Sequence, residues 1–324
     1  MTIGRRGFLM AGGAVAGAGM LNATVAEAQP VPHGLSVTDF GVDPKKAADQ
    51  TAALQKAIDE IAAAGAAILL PAGTYAAEAI SLRAANAAII GIAGATQLRV
   101  KHFAVEIKGE PRGSLTLSGL VFDGPSEGAK AHLDVRDAYL RMTSCIFMGG
   151  GAEGGGLSIE NCYGTVDACA MLWYPGTGIA ARNAPISISD CDFGNCGAGV
   201  DIEGASGASI TGNRFETCGT GAVLTGDGIL ANNIVAGAKD YGLKLGSAEG
   251  KGGILAQGNL IRDSRVGIGV APAGDEIFAT LNSIHGAKEG AIRAFDGDKL
   301  VGPDLAVESA ESYLNLTLMG NVAR

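Results

Sequence analysis

Aromatic residues are scarce in this chain: they make up 5% of its 324 residues, with one tryptophan, Trp173. A sizeable core must therefore be assembled mainly from small side chains. Cations are also short, 24 Lys and Arg against 33 Asp and Glu, giving a formal net charge of −9. Such a surface repels nucleic acid and anionic lipid, so neither is an expected partner. The histidines His33, His102, His132 and His285 are scattered, and no C-x-x-C or H-x-x-x-H spacing occurs, so no metal site is expected. The Gly-rich runs Gly149-Gly150-Gly151 and Gly154-Gly155-Gly156 lack a following helix and a Lys-Ser/Thr pair, which marks a flexible loop rather than a phosphate cradle. The identity of any cofactor and the oligomeric state stay open.

What is abundant is glycine, with 51 residues, and its placement is periodic. Gly156, Gly178, Gly199, Gly221, Gly242, Gly267 and Gly290 recur at about two dozen residues, and after most of them the first and third places are apolar. Alternation with a period of two is a half-buried strand. Upstream runs a second ladder: Cys145, Cys169, Cys191, Asn213, Asn233, Asn259 and Asn282. A unit this short, holding only strands and turns, cannot close its own core and must stack on its neighbours. The pattern predicts an all-β, right-handed parallel β-helix of about ten coils over residues 66–300, each coil about 4.8 Å above the last. The Asn row is then expected to hydrogen-bond along the axis. Cys196 and Cys218, like Cys169 and Cys191, become stacked neighbours within disulfide range. Buried free thiols are the expectation, because Cys behaves as a small buried hydrophobe.

Both ends differ from the repeat. Gly4-Arg5-Arg6-Gly7-Phe8-Leu9-Met10 resembles a twin-arginine export signal. The weakly apolar stretch from Phe8 to Leu21 is shorter than the roughly 20 residues a membrane span needs, and Ala26-Glu27-Ala28 supplies a cleavage site. Residues 1–28 are thus expected to be a signal peptide and 29–36 a flexible lead-in, with the mature protein periplasmic and without a stable membrane span. Residues 37–65 are expected to form an entry strand and a capping helix begun by Asp49, with Leu54, Ile58 and Ile61 on one face. Residues 301–324 lose the repeat and are expected to be a C-terminal cap, with a helix from Glu308 to Met319.

Val37-Thr38-Asp39-Phe40-Gly41-Val42-Asp43, the helix Asp49–Asp59 and Ile68-Leu69-Leu70-Pro71-Ala72-Gly73-Thr74-Tyr75 together resemble the opening of the pectate lyase superfamily. With the export signal and the repeats, the chain also resembles a family of alphaproteobacterial twin-arginine-translocated repeat proteins of uncharacterised activity. The superfamily resemblance implies a β-helix that binds or modifies a carbohydrate polymer, by lyase, hydrolase or epimerase chemistry, with polysaccharide as partner. A non-catalytic scaffold or binding module is the alternative. The departure at Pro44–Ala48, where an acidic loop is replaced, argues against a ligand site there. The N-T-D, D-D, G-H-G and R-I-K set of polygalacturonases and the D-P-H motif of mannuronan epimerases do not occur.

Chemistry on a β-helix must sit on outward positions of a strand row, because inward ones fill the core. The second and fourth places after each glycine should face solvent. Asp201 and Glu203 are then two residues apart on one face, roughly 6.6 Å between Cα atoms, a spacing compatible with an acid and a base or nucleophile of glycoside hydrolysis. Arg182, one coil away, could hold a uronate carboxylate, and Lys244 could neutralise an anion or take a proton. Trp173 and Tyr174, expected in a loop just before the Gly178 strand, could stack on a sugar ring. The same charges also fit a cross-strand ion-pair ladder with no catalytic role.

Overall fold

The computed structural model describes residues 34–108, 112–124, 131–149, 154–297, 299–308 and 313–324. The expected signal peptide, most of the lead-in and part of the Gly149–Gly156 loop lie outside the described residues. The rest is a parallel β-solenoid of about nine turns with one short α-helix, near the ten coils expected.

The chain enters as a strand rather than a free lead-in: Leu35 and Ser36 pair in parallel with Ile68 and Leu69. Where an entry strand was expected, Val37–Phe40 forms a 3-10 turn. Ser36 Oγ accepts the Thr38 amide, and Gly41, at φ 84°, stops the turn. Helix α1 (Thr51–Ala63) follows and buries Leu54, Ala57, Ile58 and Ile61. The position before it belongs to Gln50, whose side chain ties back to the Asp43 backbone in both directions at 2.9 Å. Asp49 accepts the Thr51 amide at 3.2 Å instead, so it secures the first turn from one residue further out.

Each coil contributes to three stacked rows of strands. The first row contains Ala131–Arg136, Gly155–Glu160 and Thr177–Arg182, and the second contains Tyr139–Thr143, Tyr163–Asp167 and Ile186–Ser189. The third contains Ile146–Gly149, Ala170–Leu172 and Asp192–Gly194. Ala198–Thr211 and Thr220–Ala231 run unbroken through the corner between the first and second rows, with register shifts there. Inside, like residues stack: Phe122 lies on Phe147 with centroids 4.4 Å apart, and Phe193 on Phe215 at 4.8 Å. Aromatics are few, but the repeat concentrates them in one interior column.

The glycine ladder has a steric cause. A Cβ added at Gly156, Gly178 or Gly199 would lie 2.7 Å from the carbonyl oxygen of the next glycine in the row. At Gly199 it would also stand 2.4 Å from a Phe215 ring carbon. At these rungs a side chain would collide with the adjoining coil, and glycine removes the collision. The seventh rung is not Gly290, as the spacing suggested, but Ala291, whose neighbour Ile292 pairs with Ile268. Gly290 stands one residue before, at φ 131°.

The Asn column stacks as expected. Asn213, Asn233 and Asn259 each donate from Nδ2 to Oδ1 of the next Asn, at 3.1, 2.9 and 2.9 Å. A second proton goes to the carbonyls of Ile188, Ile210 and Leu230. The column continues into Asn321, which takes the Asn282 amide at 2.9 Å. At its other end the same places hold Cys191 and Cys169, where the Cys191 backbone N–H donates to Asn213 Oδ1 and the Cys169 backbone N–H to the Cys191 sulfur. All six cysteines are buried free thiols.

That extension overturns the expected C-terminal helix. Leu316–Met319 and Val322–Ala323 instead pair in parallel with Glu276–Thr280 and Ser283–His285, adding strands to the second and third rows. The alternation of Leu316 and Leu318 and the Asn at 321 have strand period and ladder register, which outweigh the helix reading. Lys299–Asp304 folds back antiparallel on Ile292–Asp296. Among the described residues no helix is long and apolar enough to cross a membrane.

Candidate functional site

The outer face of the first strand row carries two parallel files of side chains. One runs Asp134, Ser158, Ala180, Asp201, Val223, Lys244 through successive pairings. The other runs Arg83, Glu106, Arg136, Glu160, Arg182, Glu203 and alternates in sign at every step. Its members pair: Arg83 with Glu106 at 3.1 Å, Arg136 with Glu160 at 3.4 Å and Arg182 with Glu203 at 3.1 Å. These side chains are at least a third exposed, so each pair stabilises the fold by less than about 1 kcal/mol. Their effect is to fix the side-chain order of the face.

Between the two files lies a groove of about 540 Å³, lined by Asp134, Ser158, Ala180, Arg136, Glu160 and Arg182 and flanked by Gly154, Gly155 and Gly176. Asp201 stands one coil beyond Ala180, the last residue of its file to line the groove. It is half-buried, and its Oδ1 is buried with no hydrogen-bond partner. Burial, helped by repulsion from Glu203, holds its carboxyl above the usual carboxylate range, while Arg182 and Lys244 pull it down. A desolvated carboxyl beside an ionised one is the environment of a general acid.

The sequence-predicted residues are thus divided. Asp201, Glu203 and Arg182 come together, with Glu203 and Arg182 joined as an ion pair. Lys244 stands two coils from Asp201, roughly 10 Å away at Cα, because Val223 occupies the rung between. Its ammonium rests on the rings of Phe295 and Tyr241, 4.7 and 5.5 Å from their centroids. Trp173 is exposed, with its backbone in the left-handed region at φ 62°. It occupies the turn before the first row and is not among the groove's walls.

Tyr174 corrects the sequence reading. It is fully buried rather than surface-exposed, and its hydroxyl lies 2.5 Å from His132 Nδ1. Burial raises the Tyr174 phenol and lowers the His132 imidazole, so both remain neutral. One residue of chain separates a solvent-facing Trp from a core Tyr because the left-handed residue turns the chain between them. The mixed charges of the following coils form an ion-paired turn, with Arg265 at 3.0 Å from Glu289 and 3.6 Å from Asp240.

Sequence reasoning missed Asp134 and its partner His102. His102 Nδ1 lies 3.1 Å from the Ala131 carbonyl, so that nitrogen carries a proton, and Nε2 lies 3.5 Å from Asp134 Oδ2. Ala104 pairs with Asp134, thirty residues on rather than about 23, and this longer coil hides the register from a fixed period. The only available signal was that Asp134 precedes an apolar residue and Arg136, as Asp201 precedes Ile202 and Glu203.

Three stacked strand rows, with a charged groove along the first, define a parallel β-solenoid. The chain belongs to the right-handed β-helix family: the model described as right handed beta helix region matches residues 135–304. The model for rhamnogalacturonase A/epimerase, pectate lyase-like, matches residues 34–117, and with the β-helix match and the fold it supports the pectate lyase superfamily resemblance. Among solved structures, the fold is similar to the tailspike protein of E. coli bacteriophage HK620 in complex with a pentasaccharide. That match has a TM-score of 0.60 at 16% identity and covers 90% of this chain and 63% of that one. The Dettilon tailspike protein matches with a TM-score of 0.62 at 15% identity, covering 90% and 61%. The exopolygalacturonase from Thermotoga maritima matches with a TM-score of 0.52 at 10% identity, covering 91% and 93%. The chain therefore spans about six-tenths of the length of the tailspike chains it matches. Comparison with curated proteins gives no significant match.

Proposed function

We propose that this protein is an exported, periplasmic β-helix that binds a carbohydrate polymer along the outer face of its first strand row and modifies it at Asp201. The observation that carries the reading is the groove of about 540 Å³ that leads along the axis to a half-buried carboxyl with an unsatisfied oxygen. A groove aligned with the coil axis suits an extended chain more than a compact small molecule. The saccharide-bound tailspike and the exopolygalacturonase, similar in fold, support carbohydrate as the ligand class. Asp201 is assigned the general acid, since burial holds its carboxyl above the usual range, and Glu203, ion-paired with Arg182, is its partner. Glycoside hydrolysis uses such a pair, whereas elimination and epimerisation need a base that takes a C–H proton, and the reaction type is left to experiment. The ion-pair ladder supports the second reading, a binding module without turnover, since it orders the same face at no catalytic cost.

The test is a panel of bacterial and plant polysaccharides. Retention is followed by the fluorescence of the sole tryptophan, Trp173, and turnover by new reducing ends or unsaturated products. Retention with turnover supports the enzyme, and retention alone supports the binding module. Neither, with any polymer, removes the proposal. Export is tested by fractionating cells that carry Arg5→Lys/Arg6→Lys, which should leave the protein in the cytoplasm.

A further inference from the structure

The charges of the groove also bear on which polymers it takes. A polyuronate brings one negative charge per sugar, and holding it requires cations free to pair. Arg136 and Arg182, the two cations that line the groove among the described residues, are engaged through Nε by Glu160 at 3.4 Å and Glu203 at 3.1 Å. Asp134 adds a further carboxylate to the wall, 3.5 Å from His102. Lys244, farther along the file, is held on two aromatic faces. One coil beyond the groove's lining, the half-buried carboxyl of Asp201 adds an acceptor to which a hydroxyl can donate. At long range the net charge of −9 repels an anionic chain.

Resting on the carbohydrate-binding reading, we infer that the groove selects a neutral, hydroxyl-rich glycan over a polyuronate. Hydroxyls donate to Asp134 and Asp201 and leave the ladder intact. A uronate reaches each arginine only through the N–H groups that its glutamate leaves open, and must lie beside that glutamate's carboxylate.

Affinity electrophoresis of the full mature chain in gels containing dextran, mannan, polygalacturonate or alginate separates the outcomes. Retardation by at least one neutral polymer is expected, unchanged between low salt and about 0.5 M NaCl, where exposed charges are screened. Binding to polygalacturonate and alginate should be weaker by about tenfold or more. Glu160→Gln/Glu203→Gln, which releases both arginines, should gain salt-sensitive retardation by polygalacturonate. Tight, salt-sensitive binding of the unmodified protein to a polyuronate would overturn the neutral selectivity while sustaining the carbohydrate reading. Retardation by no polymer would sink both.

Discussion

Replacing Asn233 by alanine is the sharpest test of how the coils are held together. Its carboxamide accepts the Asn213 amide N–H at 3.0 Å and Asn213 Nδ2 at 3.1 Å, and donates to the Ile210 carbonyl at 2.8 Å and to Asn259 Oδ1 at 2.9 Å. The residue is 1% exposed, and Asn213 beside it is equally buried. Alanine leaves two donors on Asn213 and the Ile210 carbonyl without partners, while Asn259 Oδ1 keeps the Asn233 backbone amide. Each stranded buried group costs about 1–3 kcal/mol, so three give a loss of about 4 kcal/mol even after some relaxation. Asn321→Ala, at the partly buried end of the same column, should cost only about 1 kcal/mol, because water can replace its bonds. Urea unfolding followed by circular dichroism measures the global difference. Hydrogen exchange at the Asn213 and Cys191 amides reads the local opening, which matters because repeat arrays need not unfold in one step. Equal losses at the two sites, or a loss below about 1 kcal/mol at Asn233, would refute the view that the amide column clamps successive coils.

Three further outcomes are expected. Asp201→Asn should abolish glycan-directed turnover without lowering stability. Because the carboxyl is held above its ordinary range, its contribution favours folding below the unfolded-state value and is lost as pH rises through the folded one. The variant should therefore match the parent at acid pH and equal or exceed it at neutral pH, and retained turnover would dismiss Asp201 as the site. Gly199→Ala places a carbon 2.4 Å from the Phe215 ring and 2.7 Å from the Gly221 oxygen, and should destabilise by about 2–3 kcal/mol in the same unfolding assay. A neutral result would show that the ladder tolerates side chains. The six thiols should resist a thiol reagent in native protein and react fully in denaturant, since all are buried in the folded chain. Rapid labelling of the folded chain would contradict their burial.

The amino-acid sequence by itself determined the coil. Steric exclusion at Gly156–Gly267 and amide chemistry at Asn213–Asn282 act through the repeat interval, so residues one coil apart become neighbours whatever the details of each turn. That interval also brought Asp201, Glu203 and Arg182 onto one face, since period-two alternation and a one-coil offset suffice to place them. What the interval does not encode is decided in three dimensions. A single left-handed residue at Trp173 sends its side chain to solvent and Tyr174 into the core, a choice set by packing against His132. Coils of unequal length shift the register, so Asp134 meets His102 across a coil whose pairing offset is thirty residues, and Ala291 replaces Gly290 on the ladder. At the C-terminus, Asn321 joins the column of Asn282 from 39 residues away, turning a segment with plausible helical spacing into strands. Local pattern specifies which residues face inward; only the closed stack specifies which carboxylates border a groove and which cations are already taken.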